Sequence, residues 1–359
     1  MWFASLLTSG SATFGRLLMT VLIPNALPVF FLWTLLRAHS FTGNSDWSAV
    51  LPSTTASDAF AILLALVAIA VLAAILQPFQ VRVVRLLEGY WSGWAPTARL
   101  APVFIEFQRR RLHRLLERES ELNEELEPGP PVRGLAEQAA ALRDSVRRRS
   151  ELDRVKQRIL RYPEAPVEGI HDQDSGLDPD DWDRPNATPL LPTALGNALR
   201  TGEISAGERY RLNTIASWPR LYPQLSPKFA EVCDAARDAV DTAANLTVSF
   251  FLVAVLGVAG LYREPVNYWI PALALILMCL CYTGSIAAAT RFNTCLHVAY
   301  DLHRFDMLKA LHYKLPRTRK EESTTFEALS DFLLAPRETD REAHGLADAN
   351  GDTPRYHHD

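Results

Sequence analysis

The chain has few cysteines and lacks the short motifs by which many enzymes are recognised. Its four cysteines, in 359 residues, have neither metal-site nor redox spacing, so we interpret them as small apolar side chains. No HExxH, GxSxG or P-loop motif occurs, which leaves no sequence evidence for a zinc protease, a serine hydrolase or a P-loop nucleotidase. The sequence therefore predicts no catalytic residue, no cofactor and no metal site, and we expect a protein that is not an enzyme.

Charged residues are missing from four largely apolar stretches, although they make up 22% of the chain as a whole. The stretches are residues 17–36, 59–81, 242–262 and 265–290. A helix needs about 20 apolar residues to cross a hydrocarbon core about 30 Å thick, and each stretch has that length. The pattern predicts an all-α membrane protein with four transmembrane helices in two hairpins and a helical cytoplasmic insert between the hairpins.

The N-terminus also lacks the basic segment of a signal peptide, because Arg16 is its first positive side chain. We therefore expect residues 17–36 to be retained as a helix. Arginine is scarce in the two short loops, 37–58 and 263–264, and abundant after the second and fourth stretches. Since lysine and arginine stay on the cytoplasmic side, both termini and the insert are predicted to be cytoplasmic.

Two prolines interrupt the first predicted span, Pro24 and Pro28, with Asn25 between them. A proline inside a helix removes one hydrogen bond and kinks the helix, and in a membrane the freed carbonyl needs another partner. Asn25 is a candidate for that partner. We favour a structural kink packed against the second span, and the functional alternative is a bend that lines a polar path.

The boundaries between apolar, charged and proline-rich segments predict six parts. They are an N-terminal transmembrane hairpin (1–94), a cytoplasmic helical hairpin (95–162), an acidic proline-rich linker (163–190), a helical membrane-proximal segment (191–241), a C-terminal transmembrane hairpin with a cytoplasmic helical extension (242–315) and a largely disordered cytoplasmic tail (316–359). The aspartates of the linker lack the spacing of a calcium loop, so we expect a flexible segment there.

Apolar residues recur at helical spacing over 98–126 and 133–161, with a turn at 127–131 that is rich in proline. This pattern predicts an antiparallel helical hairpin of coiled-coil type. Its arginines are mixed with glutamates, which is typical of a solvated face with many ion pairs, and attraction to anionic lipid headgroups is the second interpretation. Neither a phosphate-binding surface nor a nucleic-acid partner is expected, because basic runs such as 147–149 contain no aromatic residue.

Residues 191–222 form the most distinctive segment of the insert, because polar and aromatic side chains are concentrated there. The candidate interaction residues are Asn197, Arg200, Glu203, Arg209, Trp218 and Arg220. Pro192 is expected in the first turn of a helix, and Arg200, Glu203 and Arg209 are candidates for one charge network. Trp218 with its neighbours is expected to anchor the chain at the membrane interface. The segment thus either fixes the insert to the inner face of the membrane or, if the protein acts on anything, is its functional centre.

Three motifs, RLLEGYW at 85–91, LPTxLGNxLR at 191–200 and WPRLY at 218–222, resemble those of a group of multipass integral membrane proteins common in actinobacteria. The resemblance covers residues 15 to 310. It implies a bacterial origin and a location in the cytoplasmic (inner) membrane. No activity is assigned to that group, so the resemblance transfers no functional residues.

The fourth predicted span is expected to continue as a helix to about residue 312, and this extension carries His297 and Asp301 four residues apart. Nothing completes a metal-ligand set around them, so we interpret them as part of a solvated helix face. Small residues such as Gly257, Gly260 and Gly284 let membrane helices approach closely, and from them we expect a homo-oligomer.

These features favour a non-enzymatic membrane scaffold that recruits a cytoplasmic protein partner through its helical insert. The break at Pro24, Asn25 and Pro28 supports the alternative, a pore or transporter subunit, although no ionisable residue lies deep in a predicted span. A membrane enzyme is the third interpretation. The expected partners are the lipid bilayer, a cytoplasmic protein and further copies of the chain.

Overall fold

The described part of the chain is built from helices. The computed structural model describes residues 22–43, 45–50, 84–93, 95–126, 134–163 and 190–334, with residues 15, 20, 67, 71 and 82 as single positions. No β-strand occurs among these residues, which confirms an all-α fold for them. Most of the second predicted span, the acidic linker at 164–189 and the tail after residue 334 lie outside the described residues.

The α-helices of the described residues are numbered here in chain order. They are α1 (Ile23–Arg37), α2 (Ala95–Glu125), α3 (Leu135–Ile159), α4 (Ala194–Glu208), α5 (Thr214–Leu221), α6 (Pro227–Gly260), α7 (Trp269–Ala310) and α8 (Arg319–Leu334). Short 3₁₀ helices lie at Trp47–Val50, Trp91–Gly93, Tyr222–Gln224 and Pro265–Tyr268. Helices α2 and α3 match the two predicted helices of the insert, and α7 ends close to the predicted residue 312.

Two helices are long and apolar enough to cross a membrane. They are Pro227–Gly260, which is α6, and Pro265–Ala310, which is α7 with the 3₁₀ turn before it. Each contains a window with a mean hydropathy of 2.0, and these windows correspond to the third and fourth predicted spans. Helix α1 is apolar but has 15 residues, so two of the four predicted spans have full-length helices in the described part of the chain.

The chain divides into two compact units. The first consists of Met1–Gly93 and Asp234–Ala289, and the second of Trp94–Cys233 and Thr290–Asp359. Helices α6 and α7 contribute residues to both units. This division differs from the six sequential parts expected, because α6 runs through the boundary predicted at residue 241 and one unit boundary, after Ala289, falls inside α7.

In the first unit, two prolines each free a backbone carbonyl, and α6 supplies a partner for both. Because proline has no N–H, Pro24 cannot bond the carbonyl of Thr20, and Pro28 cannot bond that of Pro24. The Nδ2 of Asn245 donates to the Thr20 carbonyl at 2.9 Å, and the hydroxyl of Ser249 donates to the Pro24 carbonyl at 2.6 Å. Asn245 and Ser249 are both buried, and their spacing of four residues places them on one face of α6.

These bonds correct one expectation about the kink. Asn25 is not the partner of a freed carbonyl, since its Nδ2 is buried and makes no hydrogen bond to the described residues. The kink is bonded to the third predicted span, within α6, and the predicted packing against the second span falls outside the described residues. The side chains of Asn245 and Ser249 therefore replace the hydrogen bonds that the prolines remove from the backbone.

Two glycines expected at an interface between copies pack inside the chain instead. A Cβ atom at Gly257 would lie 3.2 Å from Pro271, and one at Gly260 would lie 2.9 Å from Leu35. The expectation that this face of α6 mediates assembly is wrong for these two positions, because the neighbours in the chain already occupy it. Gly284, in contrast, has nothing within 4 Å of its Cβ position.

The two loops that the arginine pattern assigns to one side of the membrane contact each other. The carboxylate of Glu264 accepts a hydrogen bond from the backbone N–H of Ser45, and a second one from Nδ2 of Asn267 at 2.6 Å. The bond from Ser45 is the main cause that lowers the pKa of Glu264 below its usual value. The carboxylate is therefore charged at neutral pH, and it ties the loop after α1 to the connection between α6 and α7.

The RLLEGYW motif forms a turn that is fixed to α6. Glu88 is buried, and its Oε1 lies 3.4 Å from Nη2 of Arg237. Gly89 has a φ of 92°, a left-handed conformation that glycine adopts readily and other residues rarely do. The indole N–H of Trp91 donates to the carbonyl of Leu86 at 2.7 Å. The motif thus specifies local structure, and each of its distinctive residues has an identified contact.

In the second unit, α2 and α3 pack as an antiparallel hairpin around a small apolar core. The core consists of Leu112, Leu122, Val155, Ile159, Tyr162 and Leu190. The apolar residues near the start of α2 were expected to share this core but do not. Leu100, Val103 and Phe107 are 51%, 66% and 54% exposed, because the core of the hairpin begins further along the helix.

A second core of this unit joins α4 to α8. Its largest buried members are Leu212, Leu221, Leu296, Tyr300, Met307, Leu308, Phe326 and Leu329. The last two lie on α8, so residues 319–334, within the tail predicted to be largely disordered, form a helix that packs on this core. The extension of α7 beyond its apolar part is therefore a central element of this core.

The carbonyl pairing predicts that Ser249 and Pro28 are energetically coupled. Replacing Ser249 by alanine leaves the Pro24 carbonyl unpaired and should destabilise the protein by about 1 kcal/mol. In a Pro28→Ala background the cost should nearly disappear, because the alanine N–H can bond that carbonyl. The measurement is the free energy of unfolding in mixed micelles for the wild type, the two single variants and the double variant.

The matched control is Thr247→Val, since the Thr247 hydroxyl bonds to the Ala243 carbonyl of its own helix at 2.8 Å. Its effect should be the same with proline or alanine at position 28. An equal cost of Ser249→Ala in both backgrounds would contradict the assigned role of the Ser249 hydroxyl.

Candidate functional site

The LPTxLGNxLR motif folds as a capped helix start that is closed by Asn197. Thr193 is the N-cap of α4, and its Oγ1 accepts the N–H of Gly196 at 3.0 Å. Pro192 lies just before this cap rather than inside the first turn. Asn197 is 1% exposed; its Oδ1 accepts the backbone N–H of Leu191 at 2.6 Å, and its Nδ2 donates to the Leu191 carbonyl at 2.9 Å. The amide thus holds the incoming chain against α4.

The same segment is attached to the α2–α3 hairpin through one buried glutamine. Nε2 of Gln108 donates to the carbonyl of Pro192 at 3.4 Å, and its Oε1 accepts the hydroxyl of Tyr162 at 3.0 Å. Because every polar atom in this chain of bonds has a protein partner, the arrangement around Asn197 is a structural junction.

Arg200, Glu203 and Arg209, which were expected to form one charge network, form two separate ion pairs instead. Arg200 lies 3.6 Å from Glu203 on the same helix, and both side chains are about one-third exposed, at 31% and 34%. Arg209 lies 3.7 Å from Asp301 of α7 and is well exposed. Partly exposed pairs of this kind contribute about 0–1 kcal/mol, so the large penalty of a broken buried pair does not apply here.

Three side chains one helical turn apart on α7 face α4. Nδ2 of Asn293 donates to the Ala198 carbonyl at 2.6 Å. Nε2 of His297 lies 3.1 Å from Oγ of Ser205, and Asp301 accepts the hydroxyl of Tyr210. The interpretation of this face as solvated is therefore wrong for His297, which is half-buried. These residues bind the extension of α7 to α4.

The protonation of His297 follows from its surroundings. The hydroxyl of Ser205 donates to the carbonyl of Thr201 at 2.6 Å, so the bond to His297 is donated by the imidazole Nε2–H. Burial lowers the pKa of His297, with a smaller opposing effect from Asp301. The lowered pKa leaves the imidazole neutral at pH 7, and its Nε2–H donates to the serine. Since the serine proton points to the backbone, the pair lacks the geometry of a nucleophile and its base.

Trp218 lies against the core of the second unit. Its ring centroid is 5.6 Å from that of Tyr222 and 6.4 Å from that of Tyr300. The buried hydroxyl of Tyr300 donates to the carbonyl of Thr214 at 2.9 Å, which fixes α5 to α7. Arg220 is exposed and donates to the carbonyl of Ala216 in its own helix at 2.7 Å. The aromatic residues of the WPRLY motif thus pack on α7, and its arginine faces outward.

Sequence reasoning missed Arg304, which connects three elements of this unit. Its guanidinium lies 4.2 Å from the ring centroid of Tyr210 and 4.3 Å from that of Phe305. Its Nε is 2.8 Å from Oε1 of Glu322 on α8, and the two side chains are 16% and 18% exposed. No sequence signal distinguishes Arg304 from the other basic residues that follow the fourth predicted span.

Among the residues that the structure describes, no three His, Cys, Asp or Glu side chains are grouped so that they could hold a metal ion. The polar groups of α4, α5 and α7 bond mainly to each other and to backbone. No protein-family model, curated protein or solved structure matches the chain. The function must therefore be inferred from the physical properties of the two units.

The packing predicts that Trp218 and Arg200 differ in their importance for stability. Trp218→Ala removes aromatic contacts in a core and should lower the free energy of unfolding by about 2 kcal/mol or more. Arg200→Ala removes a partly exposed pair and should cost about 1 kcal/mol or less. Thermal unfolding in detergent and the abundance of the protein in membranes are the measurements. A larger loss for Arg200→Ala than for Trp218→Ala would contradict the structural role of this segment.

Proposed function

We propose that this protein is a multipass scaffold of the bacterial inner membrane that holds a helical partner-binding module in the cytoplasm. The observation that carries the proposal is the continuity of α7. Only 22% of its most apolar window is buried within the protein, as suits contact with lipid and not the core of a soluble domain. The same helix then contributes Tyr300 and Met307 to the core of the second unit.

The four-span topology is part of this proposal. It is supported by the arginine distribution, by the apolar lengths of α6 and α7, and by the bond between Ser45 and Glu264, which brings the two arginine-poor loops together. The resemblance to actinobacterial multipass proteins supports the inner membrane as the location.

The recruiting role is supported by the exposed apolar side chains of α2. Leu100 and Val103 are more than half exposed, although they lie at helical spacing on a helix of a folded hairpin. Exposed apolar patches on a helix suit a groove or helical face of another protein. The partner that fits this surface is a cytoplasmic protein with an apolar helical face.

The alternative is a pore or transporter subunit, and it depends on the polar groups around Pro24, Asn25 and Pro28. The hydrogen bonds from Asn245 and Ser249 to the freed carbonyls give most of these groups a structural explanation. A membrane enzyme has less support, because the polar candidates of the 191–222 segment are engaged in internal bonds.

The topology predicts which side of the membrane a reagent reaches. In a variant whose four cysteines are replaced by alanine, Ser48→Cys should react with an impermeant maleimide in intact cells, since Ser48 is exposed in the loop after α1. Ser175→Cys should react only after the cells are permeabilised. Labelling of Ser175→Cys in intact cells would overturn the cytoplasmic position of the insert.

The recruiting role predicts a partner whose capture depends on α2. Leu100→Glu/Val103→Glu should abolish cross-linking to that partner at unchanged abundance of the protein. The control, Leu142→Glu/Val146→Glu, changes two equally exposed apolar residues of α3 and should retain it. If no captured partner depends on α2 and the purified protein conducts ions in liposomes, the pore is favoured.

A further inference from the structure

A groove of about 670 Å³ between α2 and α3 is lined mainly by arginine. Its basic residues are Arg111, Arg114 and Arg118 of α2 with Arg147, Arg154 and Arg158 of α3. Glu151 is the acidic residue of the lining. Ion pairs mixed evenly over the hairpin were expected from the sequence, and the structure instead gathers an excess of positive charge at one place.

The two helices bring these arginines together through their register. The arginines on each helix are separated by three, four or seven residues, so each set lies on one face. The bond between Arg118 and Glu151, at 3.0 Å, joins the helices at one end of the groove. Because the hairpin is antiparallel, Arg111 then falls beside Arg158 at the other end. The arginines of α2 extend over about 10 Å, at 1.5 Å per residue.

Little of this charge is compensated within the protein. Arg118 is paired with Glu121, Glu125 and Glu151. The other five arginines of the lining make no ion pair with a described residue. Of the neighbouring acidic groups, Glu106 is bonded to Arg110 at 2.8 Å, and Glu125 lies 3.6 Å from Arg148 as well as 3.8 Å from Arg118.

Arg161 adds to the positive charge at the open end of the groove. Its Nε is buried and has no hydrogen-bond partner among the described residues. Burial lowers the pKa of Arg161, and the charges of Arg158 and Arg111 lower it further. Like charges held this close repel each other, so an anion that entered the groove would relieve a repulsion already present in the folded protein.

We propose that this groove binds a ligand that carries two or more neighbouring phosphate groups. The planar guanidinium binds phosphate with two parallel hydrogen bonds, and arginines on opposite walls present such donors along the groove. The volume lies in the range of small-molecule sites, and Leu115 and Val155 provide an apolar floor. The inference goes beyond the scaffold role and does not require it. The ligand chemistry is shared by a free polyphosphate compound and by phospholipid headgroups.

The test uses the full chain in nanodiscs of neutral lipid, titrated with inorganic triphosphate at constant ionic strength. Binding should be saturable and stoichiometric. Arg114→Gln/Arg154→Gln should weaken it by roughly tenfold or more. The charge-matched control is Arg110→Gln/Arg149→Gln, because Arg110 and Arg149 lie outside the lining, and its affinity should stay within about twofold of the wild type. Circular dichroism should confirm that both variants keep their helices.

Binding measurements in two kinds of nanodisc identify the source of the phosphate. If headgroups occupy the groove, nanodiscs with anionic phospholipid should weaken triphosphate binding to the wild type, and the groove variant should lose that competition. If the ligand is free, the affinity should be equal in both nanodiscs. Equal loss of binding in the groove and control variants, absence of saturation, or tighter binding of polyglutamate than of triphosphate would overturn the proposal.

Discussion

The fold depends on α7, an unbroken helix of 42 residues. Its first part is apolar and exposed, and its last part is buried in the core of the second unit. Every interruption of a helix exposes up to four unpaired carbonyls and four unpaired N–H groups. By continuing without a break, α7 keeps its backbone bonds through the whole passage from its apolar part to its polar part. Side chains alone change along it, from exposed apolar residues such as Ile276 and Leu280 to the buried Tyr300 and Met307. Helices α4, α5 and α8 then pack on its later turns.

Length and periodicity were enough to predict α2, α3 and α7, because both are properties of neighbouring residues. The boundaries of α2, α3 and α7 were obtained closely from apolar spacing and proline positions. Periodicity does not predict how much of an apolar helix face is covered by other helices. Leu112 and Phe107 both belong to the apolar positions of α2, yet Leu112 is buried and Phe107 is exposed.

The contacts of the candidate residues could not be predicted for the same reason. Asn197 and Trp218 stood out by their chemistry, and both make essential contacts, but the contacts are internal. Asn245 and Ser249 escaped notice because a small polar residue in an apolar helix resembles any other tolerated substitution. Their importance comes from prolines that are distant in sequence. The arginine groove was hidden likewise, since the mixed charges of α2 and α3 separate only when the two helices are placed side by side.

The close contact of α4 with α7 has a consequence for sequence variation. Gly202 lies so near Asn293 that a Cβ atom at position 202 would overlap the amide side chain, and that amide also bonds the Ala198 carbonyl. A larger residue at 202 therefore demands a shorter one at 293, and a shorter one leaves a buried carbonyl without its donor. The two positions should covary among homologous chains, with glycine at 202 wherever an amide stands at 293.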